Sequence, residues 1–117
     1  MDKLIELITN SLGESYPEIK EGDVITPPCF VLTPYGINGL KGNGVPVENT
    51  VSYEICVFTY GRMEALAVSL KLKNDLAENG YACTDPYIEY EKNAKSWKII
   101  IHAEGILERN DETWAEA

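Results

Sequence analysis

Residues 34–46, Pro-Tyr-Gly-Ile-Asn-Gly-Leu-Lys-Gly-Asn-Gly-Val-Pro, hold four glycines and are the place to look first for a phosphate cradle. A P-loop needs Gly-Lys-Ser/Thr at its end, so that backbone N–H groups and the lysine meet the phosphates; no glycine in the chain is followed by that pair. A dinucleotide fingerprint needs its glycines between a strand and the start of a helix, whereas Gly42-Asn43-Gly44 runs into Val-Pro-Val and more strand-like sequence. The only histidine is His102. Metal sites and acid–base pairs recruit histidine in combination, so His102 is expected to be a packed or edge residue of a strand. Cys29, Cys56 and Cys83 form no C-x-x-C pair, and no nucleophile motif surrounds a serine or a cysteine. They read as structural thiols of a reducing compartment. Glu89, Glu91 and Glu104 are possible cross-strand neighbours and read as solvated charges on an outer face. The expectation is a protein with no catalytic residue, no cofactor and no metal.

Composition points the same way. The chain has 117 residues, 44% hydrophobic and 25% charged, which suits one folded domain. Nineteen acids against ten bases give a net charge of −9, the wrong sign for neutralising phosphates, so specific nucleic-acid binding is not expected. The start, MDKLIELITNSLGES, is too acidic and too short in its apolar part for a secretory signal, and no stretch approaches the roughly 20 apolar residues of a membrane span. A cytoplasmic origin with no membrane partner is the expectation.

The elements that must position these residues follow from spacing. Leu4, Ile5, Ile8 and Leu12 predict a short N-terminal helix, with Asp2 as its cap and Gly13 as its stop. Residues 15–28 read as an extended segment ended by two prolines, and 29–33 as an apolar strand. In 50–60, Val51, Tyr53, Ile55 and Val57 alternate with Ser52, Glu54, Cys56 and Phe58, the pattern of a two-faced strand. Residues 62–80 predict the main helix, stopped by Gly80, with Met63, Leu66, Ala67, Leu70 and Ala77 as the stripe to be buried and Leu72 and Leu76 widening it. Leu70→Asp is accordingly expected to unfold the domain. Two strands, 87–92 and 96–107, join through a short connection, and the run KIIIHA places the second centrally. The predicted fold is an α+β two-layer sandwich, a mostly antiparallel sheet of about four strands with one long and one short N-terminal helix on one face. Residues 1–107 form the single domain, 34–50 a flexible glycine-rich loop within it, and 108–117 a polar C-terminal tail.

A loop this long in a compact domain is either functional or disordered, so a plain floppy connection and an arm that orders against a partner are both open. Its dispersed apolar residues have no core of their own, so Tyr35, Ile37, Leu40, Lys41 and Val45 are the expected partner interface.

The order of these elements resembles the small tail terminator, or tail completion, proteins of long-tailed bacteriophages and prophages. The likeness spans residues 1–107: the helix MDKLIELI, the extended YPEIKEGDV and PPCFVL, a glycine-rich insertion, VSYEICVFTYGRMEALAVSLKLKNDLAENGY, and a strand pair ending in WKIIIHAEGIL. The resemblance implies a virion component assembled in the host cytoplasm and no enzyme. It implies a ring, of six copies, that caps the tail tube, ends its polymerisation and docks to the head. The partners implied are further copies of the chain, the major tail tube protein and the head–tail connector, with DNA passing through the ring unbound. A connector or neck component, and a ligand-binding α+β module outside phages, are the alternatives.

Overall fold

A computed structural model describes the backbone of residues 2–42, 45–110 and 113–116, and side chains over 3–36 and 50–105. The elements run α1 (Asp2–Leu12), β1 (Cys29–Gly42), β2 (Val45–Thr59), α2 (Arg62–Glu78), β3 (Ala82–Cys83), β4 (Tyr87–Glu91), β5 (Ser96–Asn110) and β6 (Thr113–Glu116). Two helices on one face of an antiparallel sheet make the α+β sandwich that the spacing predicts. Among the described residues the sheet has six strands rather than about four. β3 and β6 are too short to leave a periodic signal.

β5 is the central strand. One edge pairs with β2 from Thr59↔Trp97 to Asn49↔Leu107. Its other edge is shared in turn by β4 at Ser96–Ile100, β3 at Ala103–Glu104 and β6 at Leu107–Asn110. Thr84 bridges the first two, taking a hydrogen bond from the His102 N–H on its hydroxyl at 3.1 Å.

The alternation in β2 holds. Val51, Tyr53, Ile55 and Val57 turn inward with Ile99, Ile101 and Ala103 of β5 and Phe30 and Leu32 of β1, and meet Leu4, Ile8, Ala65, Leu72 and Leu76 of the helices. The opposite face carries a smaller apolar cluster of Cys29, Cys56 and Phe58, flanked by Ile19, Val31 and Ile100. The segment before the two prolines is extended, as expected: Ile19 N–H donates to the Phe30 carbonyl at 2.8 Å, and Phe30 N–H to that of Pro17 at 3.0 Å. All three thiols are free, two buried and one half-buried.

Helix α2 corrects the expected stripe. Ala65, Ser69, Leu72 and Leu76 are buried, while Met63, Leu66 and Leu70 are 73%, 48% and 62% exposed. Apolar residues sit on two flanks of this helix, and counting large side chains favours the wrong one. Its ends decide the rotation. Gly80, at φ +88°, lets Gly80 N–H reach the Ala77 carbonyl and Tyr81 N–H reach that of Leu76, which locks Leu76 and Tyr81 together over the sheet. Ser69 is tolerated inside because its hydroxyl donates to the Ala65 carbonyl.

Tyr81 also explains a glycine. A Cβ on Gly105 would stand 2.6 Å from Tyr81 Cε1. Because that ring is fixed in the core, Gly105→Ala is expected to destabilise by about 1–3 kcal/mol in urea titrations, as overpacking does.

Residues 34–42 and 45–50 are strand rather than the expected loop. β1 continues to Gly42 and β2 begins at Val45, paired from Cys29↔Phe58 to Gly42↔Val45, with 43–44 outside the described residues. Asn43-Gly44 between strand-like runs is a hairpin-turn signal, and weighing the glycines only as a phosphate site or a linker hides it. Residues 108–110 likewise pair with 113–116 instead of trailing as a tail, with 111, 112 and 117 outside the described residues. Beyond Ile37↔Val51, residues 38–42 at about 3.3 Å each carry the hairpin roughly 16 Å further. The radius of gyration, 15.4 Å, exceeds the roughly 13 Å of a compact chain of this length.

Candidate functional site: the open sheet face and the hairpin arm

The sheet face turned away from the helices is laid out in rows across β1, β2 and β5. Cys29, Phe58 and Lys98 form one; Val31, Cys56 and Ile100 the next; Thr33, Glu54 and His102 the third; Gly36, Ser52 and Glu104 the fourth. One end of this face is therefore apolar and the other polar.

Glu54 links the two ends. Its Oε1 accepts a hydrogen bond from Cys56 Sγ at 3.2 Å, and its Oε2 stands 3.3 Å from His102 Nε2. The thiol first, and then the imidazole, hold the Glu54 carboxyl below the usual carboxylate range, with partial burial opposing them. Burial, then the Glu54 carboxylate, push the Cys56 thiol up to about 12. The proton thus stays on sulfur and the charge on oxygen. Because the carboxylate occupies both neighbours, His102 serves the glutamate and leaves the thiol a poor nucleophile.

Tyr35 closes the polar end. Pro34 pairs with Tyr53 and Gly36 with Ser52, so Tyr35 is the extra residue of a β-bulge at the root of the arm. Its ring lies edge-on to His102, centroids 5.5 Å apart at 72°. Beside it is an open hollow of about 240 Å³, lined by Tyr35, Ser52, Thr84, His102 and Glu104 among others. His102 thus lies on the open face of the central strand, half-exposed and engaged, rather than packed in the core or at a sheet edge.

Of the expected interface residues, Tyr35 is exposed at this bulge. Ile37, Leu40, Lys41 and Val45 are placed by backbone alone, opposite Val51, Glu48, Pro46 and Gly42; their side chains lie outside the described residues. The fold thus strings the five along one arm. Glu89, Glu91 and Glu104 do not converge: they pair across strands with Lys98, Ser96 and Ser52. Two features escape spacing arguments, namely the exposed Met63–Leu66–Leu70 flank and the Cys56–Glu54–His102 chain. The second was legible only in part, since Glu54 and Cys56 share one face of β2 but nothing local brings His102 opposite them.

Among the described residues no three of His, Cys, Asp and Glu gather so as to hold a metal ion. No described helix is long and apolar enough to cross a membrane. Compared with known proteins, the chain matches no family model and no curated relative.

Proposed function

We propose that this chain is a structural subunit of a bacteriophage tail, forming a ring on the end of the tail tube that stops its growth and offers the head a docking surface. The observation that carries the reading is the β1–β2 arm, which runs beyond the helix-covered core with an exposed tyrosine at its root. A capping ring needs a rigid body with protrusions that settle on neighbours, and the arm is such a protrusion. The bare Met63–Leu66–Leu70 flank of α2 gives the body a second apolar contact surface. A charge of −9 suits a bore through which DNA passes without sticking. No catalysis, cofactor or metal enters this role.

The test replaces residues 39–49 by Asn-Gly, closing a tight hairpin at the hydrogen-bonded pair Asn38 and Thr50. The melting temperature is expected to stay near that of the parent, because the helix-covered core is untouched, while capping of purified tail tubes is lost in electron micrographs. Tubes capped normally by the shortened chain would overturn the role of the arm. The hollow beside Tyr35 and His102 favours the second reading, a ligand-binding module. Saturable binding of a small molecule there, by a chain that leaves tubes uncapped, would establish it instead.

A further inference from the structure

β1 is an edge strand, and among the described residues its outer side is covered only at the Phe30 end. Phe30 turns its N–H and C=O outward, where Ile19 and Pro17 take them. By alternation Leu32 and Pro34 face the same way, and Pro34 has no N–H to offer. Past the bulge the parity is read from β2: Pro34 pairs with Tyr53, Ile37 with Val51 and Gly39 with Asn49, so Ile37 and Gly39 take over the outward positions. Among the described residues no backbone hydrogen bond reaches this side of β1 beyond Phe30.

Folded proteins protect such edges with charges, short strands or cover. The opposite edge of this sheet does so. It is broken into β3, β4 and β6 and carries Asp85, Glu89 and Glu91. β1 is long, and residues 24–47 contain no Asp or Glu and a single Lys41, although the chain has nineteen acids. Two copies at −9 each repel through most of their surfaces. Residues 24–47 bring no carboxylate of their own to this edge, and Glu18 reaches it only at its end, bridged to Phe30. Its glycines fit as well, since glycine inside a strand marks a place where another backbone comes close.

We propose that a second copy of this chain pairs antiparallel with β1 along this edge, about a two-fold axis at the Tyr35 bulge. One register uses all four outward positions. Leu32 lies opposite Gly39 of the second copy, exchanging both N–H···O bonds, and Pro34 lies opposite Ile37, accepting one. The bulge makes the step from Pro34 to Ile37 equal in length to the steps on either side, so the two halves superpose. The contact is isologous and closes at two copies. It is independent of the tube-capping reading, which needs a head-to-tail contact.

Gly36 sits beside the axis, and a Cβ added there would meet nothing within 4 Å, so a cysteine fits and meets its own counterpart. Gly36→Cys in a Cys83→Ser background is expected to form a disulfide-linked dimer under mild oxidation. The parent chain is expected to run at twice its 13.0 kDa in light scattering at high concentration. Adding Ile37→Pro, which removes an outward N–H and leaves the β2 ladder intact, is expected to weaken both readouts about tenfold or more, as two symmetry-related bonds vanish. If that variant folds poorly, hydrogen exchange on the parent decides: Ile37 and Gly39 amides gain protection with rising concentration, while the Asn38 amide, already bonded to β2, does not. A 13.0 kDa species at every concentration, or a cross-link indifferent to Ile37→Pro, would sink the pairing. A monomer that still caps tubes would leave the capping role standing, and a dimer that never caps them would do the reverse.

Discussion

Replacing Leu72 by aspartate is expected to unfold the protein, and the same change at Leu70 to leave it folded with a melting temperature within a few degrees of the parent. The two leucines lie two positions apart on α2, yet Leu72 is fully buried against the sheet and Leu70 is mostly exposed. A carboxylate at Leu72 has no cation of the core cluster to meet, and an unpaired buried charge costs several kcal/mol against a total stability of about 5–15 kcal/mol. Truncation alone, Leu72→Ala, is expected to cost about 2–5 kcal/mol through lost burial and the cavity left behind. Circular dichroism melts of the three variants check this. A folded Leu72→Asp, or an unfolded Leu70→Asp, would show that α2 is rotated from the placement described.

Raising the pH above 9 is the second large perturbation. Tyr16 is buried at the end of β2, where its hydroxyl donates to the Glu64 carboxylate and shares a hydrogen bond with the buried Thr59 hydroxyl at 3.0 Å. Burial first, then the Glu64 hydrogen bond, push Tyr16 from 10.0 up to about 12. Cys56 moves from 9.0 to about 12 for the reasons given above. Below pH 9 both groups keep their protons in the folded and unfolded chain, and their contribution is complete. Between 9 and 12 the unfolded chain releases them while the folded chain holds on, so the unfolded state binds fewer protons and stability falls as pH rises, by up to about 1.4 kcal/mol per pH unit for each group. Burial raises Cys29, Tyr53, Tyr81 and Cys83 as well, which deepens the fall in the same direction. Urea titrations from pH 8 to 11 should show it. Cys56→Ala is expected to flatten the limb that starts near 9 and Tyr16→Phe the limb near 10; a parent curve flat across that range would refute the assignment.

Where a residue's fate is set by its immediate neighbours, spacing reveals it. The β2 alternation, the helix start and stop, and the central place of β5 are local in this sense, and each follows from a period of two or 3.6 residues. The rotation of α2 is not local. Its two apolar flanks are near equals by composition, and the choice is made by Leu76 and Tyr81 gripping the sheet through the Gly80 turn. The arm is a third kind of case. Glycine counts predict freedom, but pairing with β2 outweighs the entropy of ordering them. At the candidate site Tyr35 can be picked out as an aromatic among glycines. Its position over His102 depends on three strands meeting in register, which no single segment announces.

The central strand also comes after β1, β2 and α2 in the chain. β1 and β2 are neighbours in sequence and can pair at once, but the inner flank of β2 has no strand to join until Ser96–Leu107 emerges. At roughly 5–20 residues per second, translating residues 60–95 takes on the order of seconds. Through that interval the nascent hairpin holds both of its edges open, and both helices have only half a sheet to cover. The period of greatest exposure to aggregation and to chaperones therefore falls during translation and ends with the arrival of β5.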